Sequence, residues 1–149
     1  MELKILKLYN DALVPAYQTT GSVGLDLHAY IDRRLNPRRL LIGSGQIALV
    51  KTGIAVQIPE GFEGQIRPRS GLALKYGVTV INAPGTIDPD YRGDISVALI
   101  NHSKMSFQFL HGDRIAQLVI CPVQRVQIQE SDKLDRTDRS GCGFGHTGV

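Results

Sequence analysis

Polar side chains that could bind a ligand or take part in a reaction are concentrated near the middle of the chain. Residues 82–93 contain an amide (Asn82), a tyrosine (Tyr91), an arginine and two carboxylates (Asp88 and Asp90), interrupted by Gly and Pro. Such a density of polar groups on one turn is typical of a ligand-binding site. It is equally typical of an ordinary polar turn, because Asn, Asp, Gly and Pro satisfy the backbone requirements of turns. Both interpretations stay open at this point.

Two hydrophobic runs flank this segment, residues 78–81 before it and residues 95–100 after it. Their β-branched composition predicts the paired strands of a hairpin. The sheet would hold the segment rigidly while its polar tip faces a ligand. Asp90 lies two residues beyond Asp88, so in an extended segment it would point elsewhere, and we assign it a role in the turn.

The rest of the chain is dominated by short runs with a period of two, separated by Gly, Pro, Asn or Asp. These runs predict strands at residues 4–8, 46–51, 53–59, 64–67, 105–110, 115–120 and 123–129. One short helix is expected to begin near Ser70, whose hydroxyl would cap it, and to end at Gly77. The pattern predicts an all-β domain, a jelly-roll-like sandwich or barrel with one short helix.

Length and composition restrict the class of protein. With 149 residues and 42% hydrophobic content, the chain fits one domain with a substantial core. The absence of a long apolar run or a signal peptide predicts a soluble, cytoplasmic protein with no membrane partner. Cys121 and Cys142 match neither a metal-ligand spacing nor a disulfide framework, and the four histidines form no zinc motif.

The charge favours a small anionic ligand. A net charge of +3 permits an anionic partner, but the local basic cluster, Arg33, Arg34, Arg38 and Arg39, is expected to be a solvated loop. A nucleic-acid surface would require a basic stripe with interleaved aromatic residues, and the chain contains no Trp and no such stripe. A small polyphosphate is therefore a better candidate than a nucleic acid.

The composition changes at Glu130, after which charged and small residues dominate. This tail cannot bury enough apolar surface to fold alone. It is either a disordered end or a lid that becomes ordered over a ligand, since glycine amides and Arg139 suit phosphates and Phe144 suits a nucleobase. The chain is accordingly divided into a β domain at residues 1–129 and a flexible, Gly-rich C-terminal arm at residues 130–149.

Five separated segments together resemble the five motifs of the trimeric deoxyuridine triphosphate diphosphatase (dUTPase) family, in its bacterial form. They are GLDLHA at 24–29, PRSGLA at 68–73, NAPGTIDPDYRG at 82–93, GDRIAQL at 112–118 and RSGCGFGHTG at 139–148. Each motif is weak by itself. Their occurrence in the family's order, across most of the chain, makes the resemblance specific.

The resemblance implies hydrolysis of dUTP to dUMP and pyrophosphate, which keeps uracil out of DNA and supplies dUMP for thymidylate synthesis. Asp88 would accept a proton from the water that attacks the α-phosphorus, a contribution of typically 10²–10⁴-fold. Mg²⁺ would be held through the triphosphate and water, with no direct protein cage. Uracil would bind the Asn82 amide and hairpin backbone at Thr86 and Ile87, while Tyr91 would pack beneath deoxyribose and exclude a 2′-hydroxyl.

The resemblance also implies the groups that bind the phosphates. They are Arg69, Ser70, Gly71 and Gln117 in the β domain, with Arg139, Gly145, His146 and Thr147 in the arm, where Phe144 would stack over uracil. Asp26 and Arg114 would form an ion pair that supports the site without acting in catalysis. The family forms homotrimers, and the resemblance implies sites shared by three chains.

The arm departs from the family pattern. Ser140 and Cys142 stand where the family usually has glycine, and His146 stands where many members have serine. The Cys142 side chain could alter lid closure or make it sensitive to oxidation, and a positive φ there would cost on the order of 1 kcal/mol. Two other readings are a deoxycytidine triphosphate deaminase and a non-catalytic dUTP-binding module.

Overall fold

The computed structural model describes residues 1–143 of the chain. Within this part the chain forms eleven strands and one helix, α1, at Ser70–Tyr76. The strands are β1 (Lys4–Lys7), β2 (Leu25–His28), β3 (Arg39–Ile42), β4 (Ile47–Lys51), β5 (Ile54–Gln57), β6 (Phe62–Arg67), β7 (Val78–Val80), β8 (Gly85–Ile87), β9 (Ser96–Asn101), β10 (Phe107–Leu110) and β11 (Arg114–Pro122). The all-β class expected from the sequence is confirmed.

All strand pairs are antiparallel and most join strands that are distant in sequence. One sheet has the order β2-β11-β6-β8, a second has the order β4-β9-β7, and two strand pairs, β10-β3 and β1-β5, complete the jelly-roll-like sandwich. The core between the sheets is aliphatic and includes Leu27, Ile54, Val97, Phe109 and Leu118, each at most 1% exposed. This core fixes the sheet that carries the candidate site.

The period-two pattern correctly predicts strands that have one face buried against the core and the other face partly exposed. Along β9, Val97, Leu99 and Asn101 are buried and the residues between them are partly exposed, as expected for a strand with one face on the core. The predicted pairing of the two flanking runs is also confirmed, because Val78 lies opposite Asn101 and Val80 lies opposite Leu99.

The segment between β7 and β9 is more than the simple turn that the sequence suggested. Residues 85–87 form β8, which leaves the β4-β9-β7 sheet and pairs with β6 in the other sheet, Thr86 opposite Gln65. The sequence shows turn residues there and only three residues of strand, too few to display a period. Residues 82–93 therefore cross from one sheet to the other.

Two other expectations were wrong, and one strand was missed. Residues 123–129 are exposed and form no strand, because no strand in the described part of the chain pairs with them and only the Val123 amide donates to a neighbouring carbonyl, that of Gly61, at 2.9 Å. The basic cluster is not simply a solvated loop, since Arg39 begins β3 and Arg38 donates to Asp11 Oδ2 at 2.8 Å and to the Ile31 carbonyl. Strand β2 was not assigned as a strand from the sequence, because Leu25, Asp26 and Leu27 are all buried and show no alternation.

Helix α1 begins and ends where the sequence predicts, but the predicted cap is absent. Ser70 is its first residue, Arg69 occupies the N-cap position, and no side chain caps the helix, so the expected Ser70 cap is absent. Gly77 ends the helix with φ +67°, a left-handed conformation that glycine adopts without strain. The Ser70 hydroxyl is thereby left exposed at the surface.

Asn101 joins three parts of the fold and is fully buried. Its amide nitrogen donates to the carbonyls of Ile42 (2.9 Å) and Met105 (2.8 Å), and its Oδ1 accepts from the amide (2.9 Å) and hydroxyl (2.8 Å) of Ser103. Four hydrogen bonds thus connect the end of β9 with the end of β3 and with the loop before β10.

We expect Asn101→Ala to lower the free energy of unfolding by about 2–4 kcal/mol, because it leaves buried carbonyl and amide groups without partners. Urea denaturation of the purified protein measures this change. His102→Ala, at the exposed neighbouring position, is the control and should change stability by less than about 0.5 kcal/mol. Equal effects of the two substitutions would contradict the structural role of Asn101.

No helix in residues 1–143 has the length and apolar content needed to span a membrane. Residues 130–143 contain neither helix nor strand and are exposed. Phe144, Gly145, His146 and Thr147, all expected to bind substrate, lie outside the described residues.

Candidate functional site

The predicted site residues of the β domain form two groups on and beside the β2-β11-β6-β8 sheet. The first group lies before, on and after the edge strand β8, where Asn82, Thr86, Asp88 and Tyr91 are exposed. The Asp88 side chain opens onto a cleft of about 760 Å³. This cleft is also lined by Gln57, Ile58, Pro59, Glu60, Gly61, Pro89, Asp90, Arg92 and Arg125.

A close approach at Gly85 positions Asn82. A Cβ atom at Gly85 would lie 3.1 Å from Asn82 Nδ2 and 3.4 Å from Ile66 Cβ. Glycine at this position therefore allows the Asn82 side chain to lie directly against the start of β8. The exposed Asn82 amide and the backbone of the edge strand face the same surface.

The tip of the segment is a closed turn. The Tyr91 amide donates to the Asp88 carbonyl at 3.2 Å, so the chain is not extended here, and Asp90 lines the same cleft as Asp88 instead of pointing away from it. Arg92 Nη1 donates to the carbonyls of Pro89 (2.6 Å) and Tyr91 (2.9 Å). No separate role was predicted for Arg92, and its contacts show that it stabilises the turn.

Tyr91 lies against Gly93. A Cβ atom at Gly93 would lie 2.3 Å from the Tyr91 hydroxyl oxygen, so the ring requires glycine at that position. The hydroxyl donates to the Asp94 carbonyl at 3.3 Å, and the side chain remains 45% exposed. The ring is thus anchored at its hydroxyl and packed against Gly93, while nearly half of the residue's surface remains accessible.

The second group surrounds a buried carboxylate. Asp26 is 3% exposed, and its Oδ2 accepts from Arg114 Nη1 at 3.0 Å. Arg69 Nε lies 3.5 Å from Asp26 Oδ1, and Arg69 Nη1 donates to the Arg114 carbonyl at 3.1 Å. The expected ion pair between Asp26 and Arg114 is present, and Arg69 joins it as a second cation.

Gln117 completes the second group. It lies opposite Asp26 on one side and opposite Arg67 on the other. A Cβ atom at Gly24 would lie 2.9 Å from Gln117 Oε1, so the glycine provides space for the amide. Gly24, Asp26, Arg69, Arg114 and Gln117 line a pocket of about 290 Å³. Ser70 and Gly71 follow at the exposed start of α1.

His28 lies beside this group, opposite Arg114 in the strand pairing. Burial lowers the pKa of His28, and the charges of Arg114 and Arg69 lower it further, although Asp26 acts in the opposite direction. The imidazole is therefore neutral near pH 7 and adds no third positive charge around Asp26. The sequence placed His28 in a motif without giving it a role.

We expect Asp26→Ala to lower the free energy of unfolding by about 3 kcal/mol, because two guanidinium groups would lose their buried counterion. Urea denaturation tests this expectation. Asp32→Ala is a matched control, since Asp32 also pairs with an arginine, Arg34, at 2.6 Å, but the two side chains are 41% and 89% exposed. The control should cost less than about 1 kcal/mol. A similar loss in both variants would contradict the structural role of Asp26.

The two groups are far apart within one chain. Ile87, just before Asp88, pairs with Gly64 near the start of β6, whereas Gln117 pairs with Arg67 at its end. With about 4.8 Å between strands and about 3.3 Å per residue, Asp88 and Gln117 lie roughly 16 Å apart. The two groups therefore lie at opposite ends of β6 within one chain.

The described part of the arm makes local contacts. Arg139 Nε donates to the Cys142 carbonyl at 2.9 Å, so the structure places Arg139 with neither group. Ser140 has φ +46°, which costs a non-glycine residue on the order of 1 kcal/mol. Cys142 does not have a positive φ, so the backbone strain that was expected at Cys142 is found at Ser140 instead.

Comparison with known proteins gives consistent results. The model of the dUTPase family matches residues 10–148. The deoxyuridine 5'-triphosphate nucleotidohydrolase of Crocosphaera subtropica is 52% identical over 100% of both chains. That of Syntrophotalea carbinolica is 49% identical over 98% of this chain and 96% of its own length.

Solved structures agree in fold. A mutant dUTPase of Staphylococcus bacteriophage 80alpha with dUpNHpp has a TM-score of 0.87 at 23% identity, covering 99% of each chain. A mutant dUTPase from phage phi11 of S. aureus, described with a structural Mg(II) ion, has a TM-score of 0.79 at 22% identity, covering 91% of this chain and 100% of its own. With a family model that spans nearly the whole sequence and full-length relatives at about half identity, the chain belongs to the dUTPase family.

Proposed function

We propose that this chain hydrolyses dUTP to dUMP and pyrophosphate, with Asp88 as the general base. The observation that carries this proposal is the position of Asp88 on a braced turn at the mouth of an open cleft. Within residues 1–143 no side chain forms an ion pair or hydrogen bond with its carboxylate. A carboxylate that is fixed and unpaired can accept a proton from a water molecule.

The reaction requires one proton transfer and one displacement. Asp88 accepts a proton from water as the water oxygen forms a bond to the α-phosphorus. The bond between the α-phosphorus and the bridging oxygen breaks, and pyrophosphate leaves with that oxygen. Arg69 and the exposed start of α1 at Ser70 and Gly71 would stabilise the negative charge on the leaving group. Gln117 would hold a phosphate or the water.

Base and sugar selection follow from the first group of residues. Asn82 and the edge-strand backbone at Thr86 and Ile87 would bind the polar edge of uracil. An amide committed to uracil loses its hydrogen bonds with the wrong base, which gives strong discrimination. The accessible face of Tyr91 would pack beneath deoxyribose and exclude a 2′-hydroxyl.

The donor groups fit a Mg²⁺ ion that arrives with the triphosphate. Within residues 1–143 no three His, Cys, Asp or Glu side chains converge on one point. Mg²⁺ keeps several waters and is commonly bound through substrate phosphates and one or two carboxylates. When bound, the ion would neutralise charge on the phosphates, and it would be held through the triphosphate and water.

The roughly 16 Å between the two groups supports a homotrimer in which the Asp88 group of one chain meets the Gln117 group of another. The surface offers apolar area for such contacts. Ile47 is 59%, Leu49 70% and Ile81 46% exposed on the β4-β9-β7 sheet. Val126 and Ile128, in the segment beyond β11, are 76% and 92% exposed. A second copy of the chain would cover these residues.

The arm at residues 130–143 is exposed and lacks regular structure, which supports its role as a separate segment that closes over bound nucleotide. Arg139 would pair with the γ-phosphate, Phe144 would stack on uracil, and Gly145, His146 and Thr147 would bind the terminal phosphates. The free thiols of Cys121 and Cys142 suit the reducing cytoplasm, where we place the enzyme.

The test measures pyrophosphate and ammonia release from dUTP, dCTP, dTTP and UTP in the presence of Mg²⁺. We expect pyrophosphate from dUTP, much less from the other three, and no ammonia. Ammonia from dCTP would assign the chain to the deaminases. Tight dUTP binding without turnover would identify a non-catalytic binding module, and either result would overturn the proposal.

A further inference from the structure

Asp94 and Ile95, which follow residues 82–93, are hydrogen-bonded to the turn between β4 and β5. The Thr52 amide and hydroxyl both donate to the Ile95 carbonyl, at 2.9 and 2.7 Å, and the Ile95 amide donates to the Ile54 carbonyl at 2.8 Å. The Gly53 amide donates to Asp94 Oδ1 at 3.0 Å. Three of these four bonds are made by the backbone of Ile95. The fourth depends on the Asp94 side chain.

The carboxylate of Asp94 lies in an unfavourable environment. Its Oδ2 is buried and has no hydrogen-bond partner within the described residues. Burial raises the pKa of Asp94, although the bond from Gly53 acts in the opposite direction. A partly desolvated carboxylate with one unsatisfied oxygen weakens the fold, so its presence points to a role other than stability.

The turn that Asp94 contacts cannot move easily. Gly53 has φ +73°, and a Cβ atom there would lie 2.9 Å from Ala12 Cβ and 3.0 Å from Tyr30 Cγ. The backbone of Gly53 is therefore wedged against two other side chains. It provides a rigid anchor for whatever is bonded to its amide.

Asp94 also contacts Tyr91. Its carbonyl accepts the hydrogen bond from the Tyr91 hydroxyl at 3.3 Å, and the Tyr91 ring covers Gly93. One residue thus connects the rigid Gly53 turn, through its side chain, with the tyrosine ring, through its backbone. A shift of the Asp94 backbone would move the acceptor that holds the ring.

We propose that Asp94 is a positioning residue that sets the Tyr91 ring against the sugar and thereby determines selection of deoxyribose over ribose. The inference rests on the proposed function, in which Tyr91 excludes a 2′-hydroxyl. Asp94 acts through Tyr91 and does not touch substrate. Loss of its side-chain bond to Gly53 would loosen the ring and admit UTP without removing the base Asp88.

The experiment compares kcat and KM for dUTP and UTP in the native protein and in Asp94→Ala, Asp94→Ser and Asp94→Asn. Loss of one anchoring hydrogen bond should reduce the ratio of kcat/KM for dUTP over UTP by about tenfold in Asp94→Ala, mainly through KM. Asp94→Asn keeps an acceptor for the Gly53 amide and should retain the ratio within about threefold. Asp94→Ser, too short to reach Gly53, substitutes for the alanine variant if that variant does not fold.

Thr52→Val is the matched control, because it removes the 2.7 Å hydroxyl bond from the same turn but leaves the amide bond to Ile95. It should lower the thermal unfolding midpoint and keep the selectivity ratio. An unchanged ratio in Asp94→Ala, or an equal fall in Thr52→Val, would overturn the role of Asp94. A native protein that hydrolyses UTP as well as dUTP would instead contradict the proposed role of Tyr91.

Discussion

Replacing Asp88 with Asn is expected to reduce kcat for dUTP hydrolysis by about 10²–10⁴-fold, the range found for loss of a general base. The amide has nearly the same shape as the carboxylate but cannot accept a proton from water at neutral pH. Steady-state release of pyrophosphate measures kcat, and calorimetric titration with a non-hydrolysable dUTP analogue measures binding. The dissociation constant should change by less than about threefold, because the lost interaction is made in the transition state.

Asp90→Asn is the matched control for this substitution. Asp90 belongs to the same closed turn and lines the same cleft, so the two substitutions remove one negative charge from nearly the same place. A general effect of charge on the cleft would appear in both variants. The assignment of the base to Asp88 requires that Asp90→Asn keep kcat within about threefold. Comparable losses in the two variants would refute it.

Mixing two inactive variants is expected to restore activity if sites are shared between chains. Asp88→Asn removes the base from the first group, and Gln117→Ala removes an amide from the second group, about 16 Å away in the same chain. In trimers reassembled from equal amounts of both, about a quarter of the sites would combine an intact Asp88 with an intact Gln117 from a neighbour. Co-expression or joint refolding, followed by purification of the trimer, prepares the sample.

The recovered rate distinguishes the two arrangements. Shared sites predict about a quarter of the native rate from partners that are each nearly inactive. Sites contained in one chain predict only the average of the two residual rates. A mixture of Asp88→Asn with Asp90→Asn controls for the procedure. Both substitutions lie in the first group, so this mixture contains no substitution in the second group that could complement the loss of Asp88. Failure to exceed the average in a verified mixed trimer would remove the basis for shared sites.

Several local features could be predicted from the sequence because short-range rules determine them. The pairing of β7 with β9 follows from two β-branched runs, and the end of α1 follows from Gly77, which alone among the neighbouring residues adopts positive φ without strain. The Asp26–Arg114 ion pair could be expected only from the family resemblance, and the structure confirms it at 3.0 Å. In each case few residues decide the outcome.

Other features depend on parts of the chain that are distant in sequence. Strand β8 forms because β6 offers an open edge, and residues 85–87 carry no period that would reveal it. Arg69 joins Asp26 because β6 ends beside β11, whose other neighbour is β2, and Arg38 pairs with Asp11, which is 27 positions away in the sequence. Residues 123–129 have the pattern of a strand but no partner in the described part of the chain.

The sequence by itself determined the all-β class, the family and the residue types available for chemistry. The alternation of apolar and polar residues and the order of the motifs can both be recognised along the linear chain. Only the tertiary structure decided where those residues lie. It placed Asp88 and Gln117 on opposite sides of β6 and towards its opposite ends, and it connected the Gly53 turn, through Asp94, with Tyr91. Strand pairing and packing between distant segments set these distances, and a linear pattern carries no measure of them.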